Sequence, residues 1–123
     1  MDIRKKSKAV VTALEDIKGR DISAFDVTHL TSLFDRVVIA TGESARQVKS
    51  LARSVEIKMV ELGQKALSVE GAQSGEWVLV DLGDIVVHVM QPAVRQYYNL
   101  EELWGQPKPR KPRAKKRPVA DPA

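Results

Sequence analysis

Glu70, Asp81, Asp84 and His88 are the residues whose types and spacing invite a catalytic reading. Carboxylates and an imidazole in one neighbourhood can share a proton or hold a divalent metal. The spacing favours a plainer role. Asp81-Leu82-Gly83-Asp84 joins two apolar runs. In so short a connection Asp bonds nearby backbone N–H groups and Gly supplies positive φ. His88 lies among valines, where one histidine is more often a satisfied structural side chain than a ligand. His29 stands in a distant turn with no evident second ligand. Catalysis is the minor alternative.

Gly42-Glu43-Ser44 precedes a helical pattern and is a second candidate. Backbone N–H groups at a helix N-terminus can cradle a phosphate. Here Glu43 would repel the anion, and Ser44 stands three residues before Gln47, the spacing of a capping box. A helix cap is the better account. The aromatics form a third group. Trp77, Tyr97, Tyr98 and Trp104 all lie in one block, and a small core has room for only one or two of them. Such side chains are enriched where proteins meet, because each offers large area and one polar end.

Charge divides the chain. The net +4 arises in the stretch beyond Gly105, which holds Lys108, Arg110, Lys111, Arg113, Lys115, Lys116 and Arg117 against Asp121 alone. The body before it is mildly acidic. Five of the six prolines fall in the same stretch, and no apolar period survives there. This predicts a body over 1–104 and a disordered basic Pro-rich tail over 105–123. The tail suits non-specific contact with phosphates, without aromatics to read bases. A chain of 123 residues fits one small domain. The absence of cysteine excludes disulfides, thiolate nucleophiles and Cys-ligated zinc. With neither a signal-peptide pattern nor an apolar run long enough to span a bilayer, the expected setting is the cytoplasm.

These groups need elements to position them. Val10, Ala13, Leu14 and Ile17 predict a helix over Ala9–Lys18, capped by Ser7 or Asp2 and ended at Gly19. Strands are expected at Ile22–Val27 and Leu33–Thr41. The run Val37-Val38-Ile39-Ala40-Thr41 suggests burial on both faces. Ser44 opens the best-marked helix, with a stripe of Val48, Leu51, Ala52, Val55, Met59 and Leu62 and a stop at Gly63. Strands follow at Ala66–Glu70, Trp77–Val80 and Ile85–Met90, the last two as an antiparallel hairpin. A short helix over Ala93–Tyr98 and a last turn capped by Asn99 complete the body. The fold class is α/β (α+β), a single mixed sheet of about five strands covered by helices.

The motifs assembled above resemble a known family. G-E-W-V-L-V-D-L-G-D-I-V-V-H-V-M at 75–90 and R-Q-Y-Y-N-L-E-E-L-W at 95–104 look like the signature of the Iojap-related ribosomal silencing factors. D-I-S-A-F-D-V at 21–27 and D-R-V-V-I-A-T-G-E-S-A-R-Q-V at 35–48 extend the likeness upstream. One departure is Arg36-Val37 after Asp35, where many members carry an aromatic. The resemblance implies a nucleotidyltransferase-like fold without catalytic residues. Consistent with that, no D-x-D follows Gly42-Glu43-Ser44, and Asp81 and Asp84 stand three apart across a turn.

The resemblance also implies a binding protein without cofactor. Such factors dock on the large ribosomal subunit through its ribosomal protein numbered fourteen, block joining of the small subunit and damp translation when nutrients are scarce. Organelle relatives act in large-subunit assembly, which stays as the alternative. On this reading Trp77, Asp81, Asp84 and His88 lie on or under the docking face, with Arg95, Tyr98 and Trp104 nearby. The tail would touch ribosomal RNA, and free sheet edges with exposed aromatics leave a homodimer open.

Overall fold

The computed structural model describes residues 1–104, with Trp104 placed by its backbone alone. The boundary expected at Gly105, and the basic tail after it, lie outside the described residues. The elements run α1 (Ile3–Asp16), β1 (Arg20–Asp26), β2 (Arg36–Thr41), α2 (Ala45–Glu61), β3 (Ser68–Glu70), β4 (Trp77–Asp81), β5 (Ile85–Met90), α3 (Pro92–Tyr98) and α4 (Leu100–Trp104). The five strands form one mixed sheet in the order β1-β2-β5-β4-β3. Only the central β2–β5 pair is parallel, with Arg36 opposite Ile85 and Thr41 opposite Met90. Among the described residues no helix is long and apolar enough to cross a membrane.

Side-chain alternation along the strands builds two unlike faces. Val38, Ala40, Val78, Val80, Ile85, Val87 and Val89 point to one side and meet the apolar stripes of α1 and α2. This is the main core. α2 holds its place because its stripe of Val48, Leu51, Ala52, Val55 and Met59 is fully covered. Each of these side chains except Ala52 contributes about 1.5–3 kcal/mol by leaving water. The Ser44 hydroxyl accepts from the Gln47 backbone N–H at 3.1 Å, as the capping-box spacing predicts. The Gln47 amide oxygen reaches back one residue further, to the Glu43 N–H at 2.7 Å. Its amide nitrogen donates to the carbonyls of Ile17 and Lys18, which joins the start of α2 to the end of α1.

Several boundaries differ from the sequence expectation by a few residues, and three of the differences have a clear physical cause. Asp2 caps α1, which therefore begins at Ile3 rather than Ala9. The extra turn carries Lys6 into the core margin, 5% exposed, where its ammonium meets the Asp84 carboxylate at 2.7 Å and the Leu82 carbonyl at 3.1 Å. A lysine with two partners there is part of the packing, whereas a charged run looks like solvated surface in sequence. β2 starts at Arg36 rather than Leu33, because Leu30 and Thr31 N–H groups turn back to the Val27 carbonyl and leave Leu33 exposed. Finally, Asn99 is not a side-chain cap for α4. It adopts the left-handed conformation (φ 48°, ψ 55°) and closes α3, its N–H donating to the Arg95 carbonyl.

Candidate protein-docking face

The second face of the sheet carries the candidate site. Period-two alternation places Trp77, Leu79 and Asp81 of β4 there, beside Val86, His88 and Met90 of β5 and Val37, Ile39 and Thr41 of β2. The register sets them in rows. Ile39, His88, Leu79 and Glu70 are neighbours across four strands, and Val86, Asp81 and Ser68 form the next row. α3 and α4 contribute to a smaller core on this side, where Val94 and Leu100 pack with Trp77 about Ile39 and Met90.

Trp77 is the hub. Its indole N–H donates to His88 Nδ1 at 3.0 Å. Its ring lies 4.8 Å from Tyr98, tilted by 48°. Tyr98 in turn meets Tyr97 edge-on at 5.0 Å. Aromatic pairs at these separations are worth about 0.5–1.5 kcal/mol each beyond their burial. The result is a rigid aromatic cluster whose outer members stay in water, with Tyr98 54% and Tyr97 81% exposed.

His88 is buried, and burial pushes its pKa down from 6.5 to about 4. At neutral pH the ring is therefore uncharged. Nδ1 is the acceptor for Trp77, so the proton sits on Nε2. His88 orients the indole and offers no positive charge.

The acids separate into two roles. Asp81 accepts the Gly83 backbone N–H at 2.8 Å, the turn contact expected for an Asp at this place. Gly83 takes φ 93°, which a side chain would resist. Asp81 stays half-buried on the second face. Asp84 lies at the end of the hairpin, where Lys6 of α1 holds its carboxylate. Its carbonyl receives the N–H groups of Asp35 and Arg36. Asp84 thus ties hairpin, first helix and β2 together, and of the two acids only Asp81 belongs to the aromatic face. Among the described residues no three His, Asp or Glu side chains gather as metal ligands.

Arg95 sits under the face rather than on it. It is 9% exposed. Its guanidinium donates to the Asp21 carbonyl, to Thr41 Oγ1 at 2.8 Å, to Ser23 Oγ at 3.4 Å and, from two nitrogens, to Glu101 at 3.2 and 2.8 Å. One side chain thereby fixes α3 to β1 and β2 and draws α4 alongside. The Trp104 backbone ends α4, and its side chain lies outside what the structure describes. Glu70 and Tyr97, marked in the sequence as an acid and an aromatic, also lie on this side, and so do Leu79 and Val86, which were not singled out from sequence. The W-x-L-x-D alternation of β4 already carried the signal for Leu79. Val86 needed the register.

The second face thus has an aromatic, uncharged centre and a half-buried acid at its margin. The model of the family described as "Ribosomal silencing factor during starvation" matches residues 1–122. The chain belongs to the ribosomal silencing factor family. A family member from Chromobacterium violaceum, named ribosomal silencing factor RsfS, is 59% identical over 109 residues, covering 89% of each chain. A crystal structure of a protein from the same species superposes with a TM-score of 0.84 at 59% identity, over 89% of this chain and 91% of that one. More distant members include the mouse protein named mitochondrial assembly of ribosomal large subunit protein 1. It is 30% identical over 99 residues, covering 77% of this chain and 43% of that one. Translation regulation and ribosome association follow for this family member.

Proposed function

We propose that this family member binds the large ribosomal subunit through its ribosomal protein numbered fourteen, excludes the small subunit and so represses translation under nutrient limitation. The observation that carries the reading is the aromatic sheet face: Trp77 locked by His88, Tyr98 tilted against it and exposed, with Asp81 at the margin. Aromatics held rigid lose little freedom on binding, and acids of a mildly acidic body suit a basic ribosomal partner. Exclusion needs no bond-making. A domain parked on the joining surface acts by its volume, so the protein works as a regulator without catalysis or cofactor, in the cytoplasm where its target is. Trp77, Asp81 and Tyr98 are the proposed contacts. His88, Asp84 and Arg95 hold the face in shape. Trp104, at the end of α4, is proposed as a contact from the sequence motif alone.

The test is sedimentation. Added protein should co-migrate with purified large subunits and deplete joined ribosomes when small subunits follow. Tyr98→Ala and Asp81→Lys should each weaken co-migration at least tenfold, with folding checked by circular dichroism. Folded variants that bind like the wild type would remove the sheet face from the reading. The name of the mouse relative favours a second reading, assistance in assembling the large subunit. In that case mature subunits would join normally and precursor particles would accumulate on deletion. A second copy of the chain is a rival occupant of the face, and light scattering of the free protein separates a homodimer from a monomer.

A further inference from the structure

The outward side of the helix layer holds a groove that the docking face does not use. Lys49, Ser50, Arg53, Ser54 and Ile57 of α2 line it, with Ile17 at the end of α1 opposite, and its volume is about 510 Å³. The concavity has a simple origin. Ser50, Ser54 and Ile57 follow one another at helical spacing, and two small side chains leave a dent between longer ones. Ser54 turns its hydroxyl into the Ala13 carbonyl at 2.9 Å, which pins the two helices together beneath the dent. Ile17 and Ile57 are 38% and 47% exposed, and Val60 one turn further along α2 is 64% exposed. Lys49 and Arg53 are both exposed, and among the described residues neither has an ion-pair partner.

We infer that this groove is a second binding site, for an acidic amphipathic segment of another protein. The exposed side chains of Ile17 and Ile57 at the rims of the dent take aliphatic side chains at i and i+4 of a helix, and the cations of Lys49 and Arg53 take the carboxylates beside them. Nucleic acid fits less well, because phosphates would leave Ile17 and Ile57 uncovered and no aromatic is present to stack on a base. The chain's own stretch beyond Gly105 has the wrong sign, being rich in Lys and Arg. The groove lies on the opposite side of the sheet from Trp77 and Tyr98, so both sites can be filled at once. The protein would then be an adaptor, one face toward the ribosome and the other toward a partner.

The probe is a synthetic helical peptide with leucines at i, i+3, i+4 and i+7 and glutamates elsewhere, titrated into the isotope-labelled full chain. Backbone amide shifts should saturate over residues 46–57 and at Ile17. The double variant Lys49→Glu with Arg53→Glu should lose at least tenfold in affinity, and Ser50→Trp, which fills the dent and keeps both charges, should lose as much. Tyr98→Ala should bind normally. A matched peptide with lysine for glutamate should bind at least tenfold more weakly. Shifts confined to the sheet face, equal binding of the lysine peptide, or displacement by a single-stranded RNA oligomer at equal concentration would overturn the inference. So would self-association of the chain that the double variant abolishes. No ribosome enters the assay, so its outcome is independent of the docking face.

Discussion

Acidification should loosen this fold through one ring. His88 has a pKa of about 4 in the folded chain against 6.5 for an ordinary histidine. Above pH 6.5 the ring is neutral in both folded and unfolded chains, and His88 adds no pH dependence. As pH falls below 6.5 the unfolded chain gains the proton first, so the unfolded state is favoured progressively until pH reaches about 4, where the folded ring protonates too. Between neutrality and pH 4.5 the loss is about 2–3 kcal/mol, taking 1.36 kcal/mol per pKa unit. Asp26 is held low chiefly by the Thr28 backbone N–H, so its folded carboxyl titrates below this window. The reference is a His88→Gln variant, which keeps an acceptor for the Trp77 N–H and carries no titrating ring. Urea unfolding of both proteins at pH 7.0, 6.0, 5.0 and 4.5, followed by Trp fluorescence, isolates the difference. The two stability curves should converge toward low pH by that amount. Parallel curves across the window would refute the claim that His88 is buried uncharged under Trp77.

Other outcomes follow from the framework side chains. Lys6→Met should cost about 1–3 kcal/mol in chemical unfolding, since Asp84 keeps part of its water while the Leu82 carbonyl loses its donor. Arg95→Ala should cost about 2–4 kcal/mol and speed hydrogen exchange selectively over residues 92–104, because α3 and α4 lose their tie to β1 and β2. Gly71→Ala should lower the melting temperature although the site is exposed. At φ 87° its new Cβ would collide with the Trp77 carbonyl oxygen, which is backbone and cannot swing away.

Local chemistry made parts of this fold readable. Ser44 and Gln47 announced α2, and the Asp81–Asp84 connection announced the β4–β5 hairpin, because caps and tight turns are decided by residues a few positions apart. Pairing over long distance is not written that way. Nothing near Val37 says that β5 will lie beside it in parallel. Nothing near Lys6 points to Asp84, its distant partner, and Arg95 looked like a contact because its acceptors lie on β1, β2 and α4. The candidate face was legible in composition through Trp77 and Tyr98 and in side through the alternation of β4. Which polar residues face outward was not, since that depends on partners brought together only by folding.

The parallel pairing at the centre of the sheet has a temporal consequence. Arg36 finds Ile85, and Thr41 finds Met90, only after the helix and two strands between them have been made. Until β5 has emerged, β2 has β1 on one side and a bare edge on the other, and the stripe of α2 has only part of its floor. Contacts of such separation slow folding and leave apolar surface open in the meantime. During its own synthesis the chain therefore stays unfinished until almost the whole body has left the ribosome that makes it. The aromatic face, which needs β2, β4, β5 and α3 together, is the last part to be completed, so on the proposed reading a nascent copy has no surface to turn on the ribosome translating it.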